Sequence, residues 1–102
     1  MKSKILVVDD EESIRFTFKA FLSKEGHDVL AVEGYKAAME VISSTDLDFI
    51  ITDIILGPQS GVDILREVKD RGMNCPVLMI TGEPNIKSAT DAVRLGAFDY
   101  LY

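Results

Sequence analysis

The sequence predicts an α/β fold of the doubly wound class, with a parallel five-stranded sheet whose strands lie in the order 2-1-3-4-5. Short apolar runs alternate with amphipathic helical stretches along the whole chain, a pattern typical of a parallel sheet covered by helices on both faces. The first, third and fourth runs are apolar throughout and fit central strands. The second run is short with polar flanks and the fifth alternates, so both suit the edges of the sheet.

The first half of the chain contains three predicted strands, at 5–8, 29–32 and about 48–52. Two helices are predicted between them because apolar residues recur on one helical face. These residues are Ile14, Phe18, Phe21 and Leu22 in the first helix and Ala38, Val41 and Ile42 in the second. Gly26 is expected to end the first helix.

The second half continues the alternation. A loop is predicted at 57–61, where Gly57, Pro58, Ser60 and Gly61 cluster. It is followed by a helix with Ile64, Leu65 and Val68 on one face and by a fourth strand at 76–80. A fourth helix, marked by Ile86, Ala89 and Val93, is expected to end at Gly96, and a fifth strand follows at 98–102.

Three aspartates stand where two of the predicted central strands end. Asp9 and Asp10 follow the first strand, and Asp53 follows the third. Parallel neighbours bring these carboxylates together at the carboxyl edge of the sheet, at the point where the strand order reverses. Because crowded carboxylates repel one another, a hard divalent cation such as Mg²⁺ would relieve the repulsion. Solvated turn aspartates are the alternative, which the matching positions of all three disfavour.

Thr81 and Gly82 end the fourth strand, next to the third in this order. A Thr81 hydroxyl at the same edge could donate a hydrogen bond to an anionic oxygen, and Gly82 leaves room for the anion to approach. The alternative is that Thr81 only fills a strand position.

Composition limits the function classes. A chain of 102 residues makes one domain. The net charge of −6 disfavours direct nucleic-acid binding. No apolar run reaches the roughly 20 residues of a membrane span and no signal peptide is visible, so a cytoplasmic location is expected. Cys75 is the single cysteine, which excludes an internal disulfide.

The chain resembles the receiver domain of two-component response regulators in four motifs: ILVVDDE at 5–11, ITD at 51–53, VLMITG at 77–82 and GAFDYL at 96–101. The spacing of the motifs matches along the whole chain. Within the family, the sequence is most similar to receivers of transcriptional activators of the nitrogen-regulation type. The resemblance implies a flavodoxin-like fold and a phosphorylation switch, not an enzyme, that is served by a sensor histidine kinase.

The resemblance also implies a role for each site residue. Asp53 would be the phosphoacceptor. Asp10 and Asp53 would bind Mg²⁺ directly, Asp9 would act mainly through a bound water, and the backbone carbonyl of Ile55 would supply a further oxygen. Thr81 would bond a phosphoryl oxygen after transfer. Tyr100 would be the aromatic that then turns inward and remodels the face formed by the fourth helix and fifth strand.

Two further positions are implied to tune the lifetime of the acyl phosphate. Ile55 and Glu83 would lie at the mouth of the site, where family members control the access of water. An apolar Ile55 cannot orient a water molecule, which predicts slow self-hydrolysis.

The sequence departs from the family pattern at its end. The lysine expected after the fifth strand and the final helix do not occur before Tyr102. We therefore expect residues 1–102 to be a receiver domain that is incomplete at the C-terminus, with any output domain absent. Without that helix, one sheet face would be open to water, and dimers or larger assemblies are expected. A smaller departure is Pro58, which many family members place one residue earlier.

Two other functions use the same fold class. A phosphatase with an aspartyl nucleophile usually has a second carboxylate two residues after the nucleophile, but Ile55 stands there. A flavin-binding electron carrier needs a hydroxyl- and glycine-rich phosphate loop after the first strand. The acidic run at 9–12 would repel a phosphate at that place.

Overall fold

The structure, a computed structural model, describes residues 2–82 and 86–101. Strands and helices alternate in the first part of the chain: β1 (Lys4–Val8), α1 (Glu12–Lys24), β2 (Asp28–Val32), α2 (Tyr35–Ser44) and β3 (Phe49–Asp53). The second part contains β4 (Ile55–Leu56), β5 (Gln59–Ser60), α3 (Gly61–Asp70), β6 (Val77–Ile80), α4 (Ile86–Arg94) and β7 (Asp99–Leu101).

Five of these strands form one parallel sheet in the order β2-β1-β3-β6-β7. They are the five strands predicted from the sequence, so the fold class and the order 2-1-3-4-5 are confirmed. The boundaries differ by at most one residue. The third strand extends through Asp53, and the last begins at Asp99, with Tyr102 outside the described residues.

The segment 57–61 was predicted as a loop, and this prediction was correct only for the turn at Gly57 and Pro58. Gln59 and Ser60 form a strand and Gly61 begins α3. The turn closes a small hairpin in which Ile55 pairs with Ser60 and Leu56 with Gln59. Gly57 has a φ of 87°, which suits the first central position of a two-residue hairpin turn. Pro58 follows, and its ring keeps φ near −65°. A positive φ followed by a negative one matches the type II′ turn, so this glycine and proline close a hairpin.

The sheet separates two apolar clusters because alternate side chains of a strand point to opposite faces. The larger cluster lies toward α2, α3 and α4. Its fully buried members include Leu6, Val8, Ile50, Met79, Ile64, Leu65 and Val68. The smaller cluster lies toward α1 and contains Ile5, Val7, Val29 and Ile51. Both faces of β1 and β3 are therefore buried, as their continuous apolar sequences predicted.

Two of the helices expose an apolar residue that marked them in the sequence. Phe21 was assigned to the buried face of α1 but is 61% exposed, and none of the thirteen described residues of this helix is classed as buried. Its inner side chains Phe18 and Leu22 pack only at the margin of the smaller cluster. Val93, one of the residues that marked the fourth helix in the sequence, is 76% exposed, because Ala92 faces the core.

Candidate functional site

The register of the sheet brings the three predicted aspartates together. Val8 pairs with Thr52 across β1 and β3, so Asp9 and Asp53 come directly after matched residues at the carboxyl edge. One carboxylate oxygen from each of Asp9, Asp10 and Asp53 lies within 4.8 Å of the others. The convergence that the sequence predicted is therefore present.

Asp9 is fixed by hydrogen bonds on both its backbone and its side chain. Its backbone N–H donates to the Val32 carbonyl at 3.1 Å, and its carbonyl accepts a hydrogen bond of 2.8 Å from Nη1 of Arg15. The Oδ1 atom accepts a hydrogen bond of 2.9 Å from the backbone N–H of Glu11. Asp9 is buried, whereas its neighbour Asp10 is exposed. Within the cluster, Asp9 is thus fixed and buried, whereas Asp10 faces solvent.

Asp53 lies at the end of β3 with a half-buried side chain. Its Oδ1 accepts a hydrogen bond of 3.4 Å from the backbone N–H of Ile55, the first residue of the hairpin. The next residue, Ile54, donates its N–H to the Ile80 carbonyl of β6 at 3.0 Å. This ladder bond continues the sheet past Asp53 and holds the backbone on which its carboxylate stands.

The pKa values of two carboxyls in the cluster are raised. Burial raises the pKa of Asp9, and the neighbouring Asp10 and Glu11 carboxylates add to this effect. The hydrogen bond from Glu11 and the charge of Arg15 oppose it. Burial also raises the pKa of Asp53, followed by repulsion from Asp9 and a smaller contribution from Asp10. Ionisation of these carboxyls therefore destabilises the folded state.

The residues of the cluster fit a hard divalent cation. All of the side-chain donors are carboxylate oxygens, the ligand type that Mg²⁺ and Ca²⁺ select. Burial first, and repulsion between neighbouring carboxylates second, raise the pKa values of Asp9 and Asp53, and a positive ion would offset both effects. Exposure of Asp10 leaves the site open to water on one side, as Mg²⁺ requires because it retains several waters.

Thr81 and Tyr100 have different positions relative to this cluster. Thr81 is buried one residue beyond Ile80, which pairs with Asp53, and its N–H donates to the Leu101 carbonyl at 3.0 Å. It therefore lies at the edge that carries the aspartates. Tyr100 pairs with Met79 and packs half-buried against the larger apolar cluster. Glu83 lies outside the described residues.

The groups that support the acidic residues were not predicted from the sequence. Arg15 binds the Asp9 carbonyl from one turn inside α1, a contact that no local motif indicates. The start of α3, by contrast, could have been predicted from the serine and the aspartate three residues apart at 60 and 63, a pattern typical of a helix N-terminus. Ser60 and Asp63 form a capping box, in which Val62 N–H donates to Ser60 Oγ at 3.0 Å and Ser60 N–H donates to Asp63 Oδ2 at 2.9 Å.

A doubly wound sheet with an acidic cluster at its carboxyl edge defines a class of α/β domain in which the site lies at the reversal of strand order. Comparison with known proteins assigns the family. The chain matches the response regulator receiver domain over residues 5–102 and belongs to that family. This result confirms the resemblance seen in the motifs and supports a receiver domain over a phosphatase-like enzyme.

Among curated relatives, the response regulator protein PilR of Pseudomonas aeruginosa is 33% identical over 100 residues, which cover 98% of this chain and 22% of PilR. The DNA-binding transcriptional regulator NtrC of Proteus hauseri is 30% identical, over 98% of this chain and 21% of NtrC. The chain thus spans about a fifth of the length of these two relatives. Both agree with the predicted similarity to nitrogen-regulation-type regulators.

Solved structures agree with this assignment. A response regulator of Burkholderia pseudomallei, with a phosphorylated aspartic acid, a calcium ion and citrate, superposes with a TM-score of 0.90 at 29% identity. The match covers 97% of this chain and 58% of that one. Among the described residues of the present chain, no helix has the length and hydrophobicity that a bilayer crossing requires.

Proposed function

We propose that Asp53 accepts a phosphoryl group from the phosphohistidine of a sensor histidine kinase and that this transfer requires Mg²⁺. Asp10 and Asp53 would bind the ion directly, the Ile55 carbonyl would add an oxygen, and Asp9 would act mainly through water. The observation that carries the proposal is the convergence of three carboxylates within 4.8 Å at the carboxyl edge of a receiver-family sheet.

The transfer is a displacement at phosphorus. A carboxylate oxygen of Asp53 forms a bond to the phosphorus atom, and the bond between phosphorus and the histidine nitrogen breaks. The electron pair of that bond stays with the imidazole, which takes up a proton, and the product is an acyl phosphate. The bound cation would offset the charge on the phosphoryl oxygens, where electrostatics and positioning provide most of the catalysis.

The residues of this chain orient the nucleophile. The hydrogen bond from the Ile55 N–H occupies Oδ1 of Asp53, which favours the second carboxylate oxygen as the attacking atom. Asp53 must be ionised to attack, and its burial, followed by repulsion from Asp9, opposes its ionisation. A cation would therefore have a second role besides offsetting the charge on the phosphoryl oxygens, because it would also keep Asp53 deprotonated. The phosphorylated aspartic acid and calcium ion in the Burkholderia protein support this assignment by similarity.

The conformational change that follows phosphorylation would be transmitted through β6 and β7. Thr81 stands at the site edge, and its backbone is joined to Leu101 of β7, the residue after Tyr100. A Thr81 hydroxyl drawn toward a phosphoryl oxygen would pull on this strand pair. Reorientation of Tyr100 would then change the surface formed by α4 and β7.

The partners follow from the same proposal. A sensor histidine kinase would supply the phosphoryl group, and a C-terminal output domain would read the altered surface. Relatives described as transcriptional regulators support transcription as the output. The negative charge of this chain leaves nucleic-acid contact to that output domain. We also propose a cytoplasmic location, no catalysis beyond self-phosphorylation, and homodimers as one form of the chain.

The test is chemical labelling with a small acyl-phosphate donor. The wild type and Asp53→Asn proteins are incubated with the donor and Mg²⁺, both as the 102-residue chain and as a version extended through the expected lysine. Intact-mass and peptide-mass spectrometry then locate the label. We expect one label, at Asp53, in the extended version and very slow labelling in the shorter chain. Equal labelling of the extended Asp53→Asn protein would disprove the assignment.

A further inference from the structure

Gly61, the first residue of α3, packs directly against the backbone of the proposed phosphoacceptor. A Cβ atom added to this buried glycine would overlap the carbonyl oxygen of Asp53. It would also lie 3.1 Å from the carbonyl carbon of Asp53 and 3.1 Å from Cγ2 of Thr52. Only a residue without a side chain fits between the start of α3 and the end of β3.

The Asp53 side of this contact is held in place. The carbonyl oxygen that a Cβ would meet accepts a hydrogen bond of 2.9 Å from Oγ1 of Thr52. Thr52 is itself fully buried, and Val8 pairs with it in β1. The carbonyl therefore cannot turn aside without disturbing the central strands of the sheet.

The Gly61 side is held as well. The Gly61 N–H donates to the Ile54 carbonyl at 2.7 Å, which ties the end of the hairpin to the residue after Asp53. Ser60, the capping residue of α3, pairs with Ile55 in the same hairpin. A displacement of Gly61 would thus move Ser60, and through it the backbone of Ile55.

We propose that Gly61 is a positioning residue that sets the distance between the Asp53 carboxylate and the Ile55 carbonyl. It does so because the absence of a Cβ lets α3 and the hairpin close against the end of β3. Gly61 would contact neither the cation nor the phosphoryl group. The inference rests on the proposed function, since Asp53 and Ile55 matter together only if both serve the metal site.

The test compares Gly61→Ala with Gly34→Ala. Gly34 also stands at the start of a helix, its backbone is extended with a φ of −162°, and a Cβ there meets nothing within 4 Å. Melting temperatures are measured in chelator and across a Mg²⁺ titration. We expect the wild type and Gly34→Ala to show the same Mg²⁺-induced rise. Gly61→Ala should lose most of that rise, with Mg²⁺ affinity lower by roughly 10- to 100-fold, as for other residues that orient metal ligands.

The outcomes separate the two proposals. If Gly61→Ala melts lower in chelator but gains as much from Mg²⁺ as the wild type, the role is structural only and the inference is wrong. If the wild type itself does not respond to Mg²⁺, the proposed metal site fails, and this inference fails with it.

A second variant covers the case in which Gly61→Ala does not fold. Ser60→Ala removes the side-chain cap that holds the start of α3 but adds no atom against Asp53. We expect it to fold and to show a several-fold loss of Mg²⁺ affinity, because Gly61 and Ile55 are less firmly held. An unchanged affinity in Ser60→Ala would overturn the proposal.

Discussion

The backbone N–H of Glu11 donates a 2.9 Å hydrogen bond to the carboxylate of Asp9. This bond makes Asp9 part of the turn that joins β1 to α1, while the adjacent Asp10 is exposed. The neighbouring residues Asp9 and Asp10 therefore have different structural roles. A change at Asp9 alters both the charge of the cluster and the turn, whereas a change at Asp10 mainly alters the charge.

Asp10→Asn should separate metal binding from folding. The substitution removes a carboxylate that raises the pKa of both Asp9 and Asp53, so we expect the variant to be more stable than the wild type in chelator. It should bind Mg²⁺ more weakly because one ligand has lost its charge. The melting temperature of the wild type should rise with Mg²⁺, since the ion binds the folded cluster and not the unfolded chain.

The control for this measurement is Asp46→Asn, which removes the same charge from an exposed position before the amino end of β3, whereas Asp53 lies at the carboxyl end of that strand. It should leave the Mg²⁺ response unchanged. A wild-type melting temperature that is identical in chelator and in excess Mg²⁺ would show that the three carboxylates are not a metal site.

Asp53→Asn should remain folded and take no phosphoryl label. Asparagine keeps an oxygen that can accept the hydrogen bond from the Ile55 N–H, so the local backbone is preserved. The amide cannot serve as the nucleophile. Circular dichroism checks the fold, and mass spectrometry after treatment with the acyl-phosphate donor checks the label. In the version of the chain extended through the expected lysine, an unlabelled Asp53→Asn protein alongside a labelled Asp46→Asn protein is the expected pair of results.

The raised pKa values predict how stability changes with pH. Burial first, then repulsion from Asp9, raises the pKa of Asp53 in the folded state, and burial raises that of Asp9. Between the ordinary aspartate value and the raised value, the folded state binds more protons than the unfolded state. The contribution of these groups to stability therefore decreases as the pH rises through that window and is regained on acidification into it.

Mg²⁺ should reverse this dependence. Protons compete with the cation for the same oxygens, so the Mg²⁺-induced rise in melting temperature should fade on acidification while ordinary aspartates are still ionised. Thermal unfolding from neutral to acidic pH, in chelator and in Mg²⁺, checks both signs. A Mg²⁺ effect that persists to the pH range of unperturbed carboxyls would contradict the prediction.

The sequence was sufficient to predict the sheet and the acidic cluster at its carboxyl edge. Continuous apolar strands and strict alternation with helices determine the strand order, and parallel pairing then requires Asp9 and Asp53 to meet. The hairpin after Asp53 was not predictable in the same way. Its strands are only two residues long, too short for an alternation pattern, and glycine followed by proline is compatible with an open loop as well as with a type II′ turn.

The close approach of Gly61 to the backbone of Asp53 could not be predicted from the sequence either. A glycine in a predicted loop indicates conformational freedom, but its φ is not among the positive values found at Gly26, Gly57, Gly72 and Gly96. What excludes a side chain at Gly61 is the carbonyl of Asp53, eight residues earlier. Such a contact becomes visible only when β3 and α3 are placed together in three dimensions.

The apolar surface beside β7 predicts self-association of the 102-residue chain. Leu101 pairs with Ile80 and is 47% exposed. Phe98 is 65% exposed, and its ring packs edge-to-face against that of Phe49 with the ring centroids 5.6 Å apart. In the described part of the chain, α1 packs against β1 and β2 on this face. Burial is worth roughly 25 cal/mol per Å² of apolar area, so pairing two such surfaces could contribute several kcal/mol.

We expect dimers or larger assemblies that grow with concentration in light-scattering measurements. Leu101→Lys should shift the chain toward monomer because it places a charge on that surface. Val93→Lys is the matched control, since it removes an equally apolar and more exposed side chain from α4 and should leave association unchanged. A chain extended through the expected final helix should be monomeric and should label at Asp53. A stable monomer of the 102-residue chain at high concentration would refute the association, and equal effects of the two lysine variants would place the contact elsewhere.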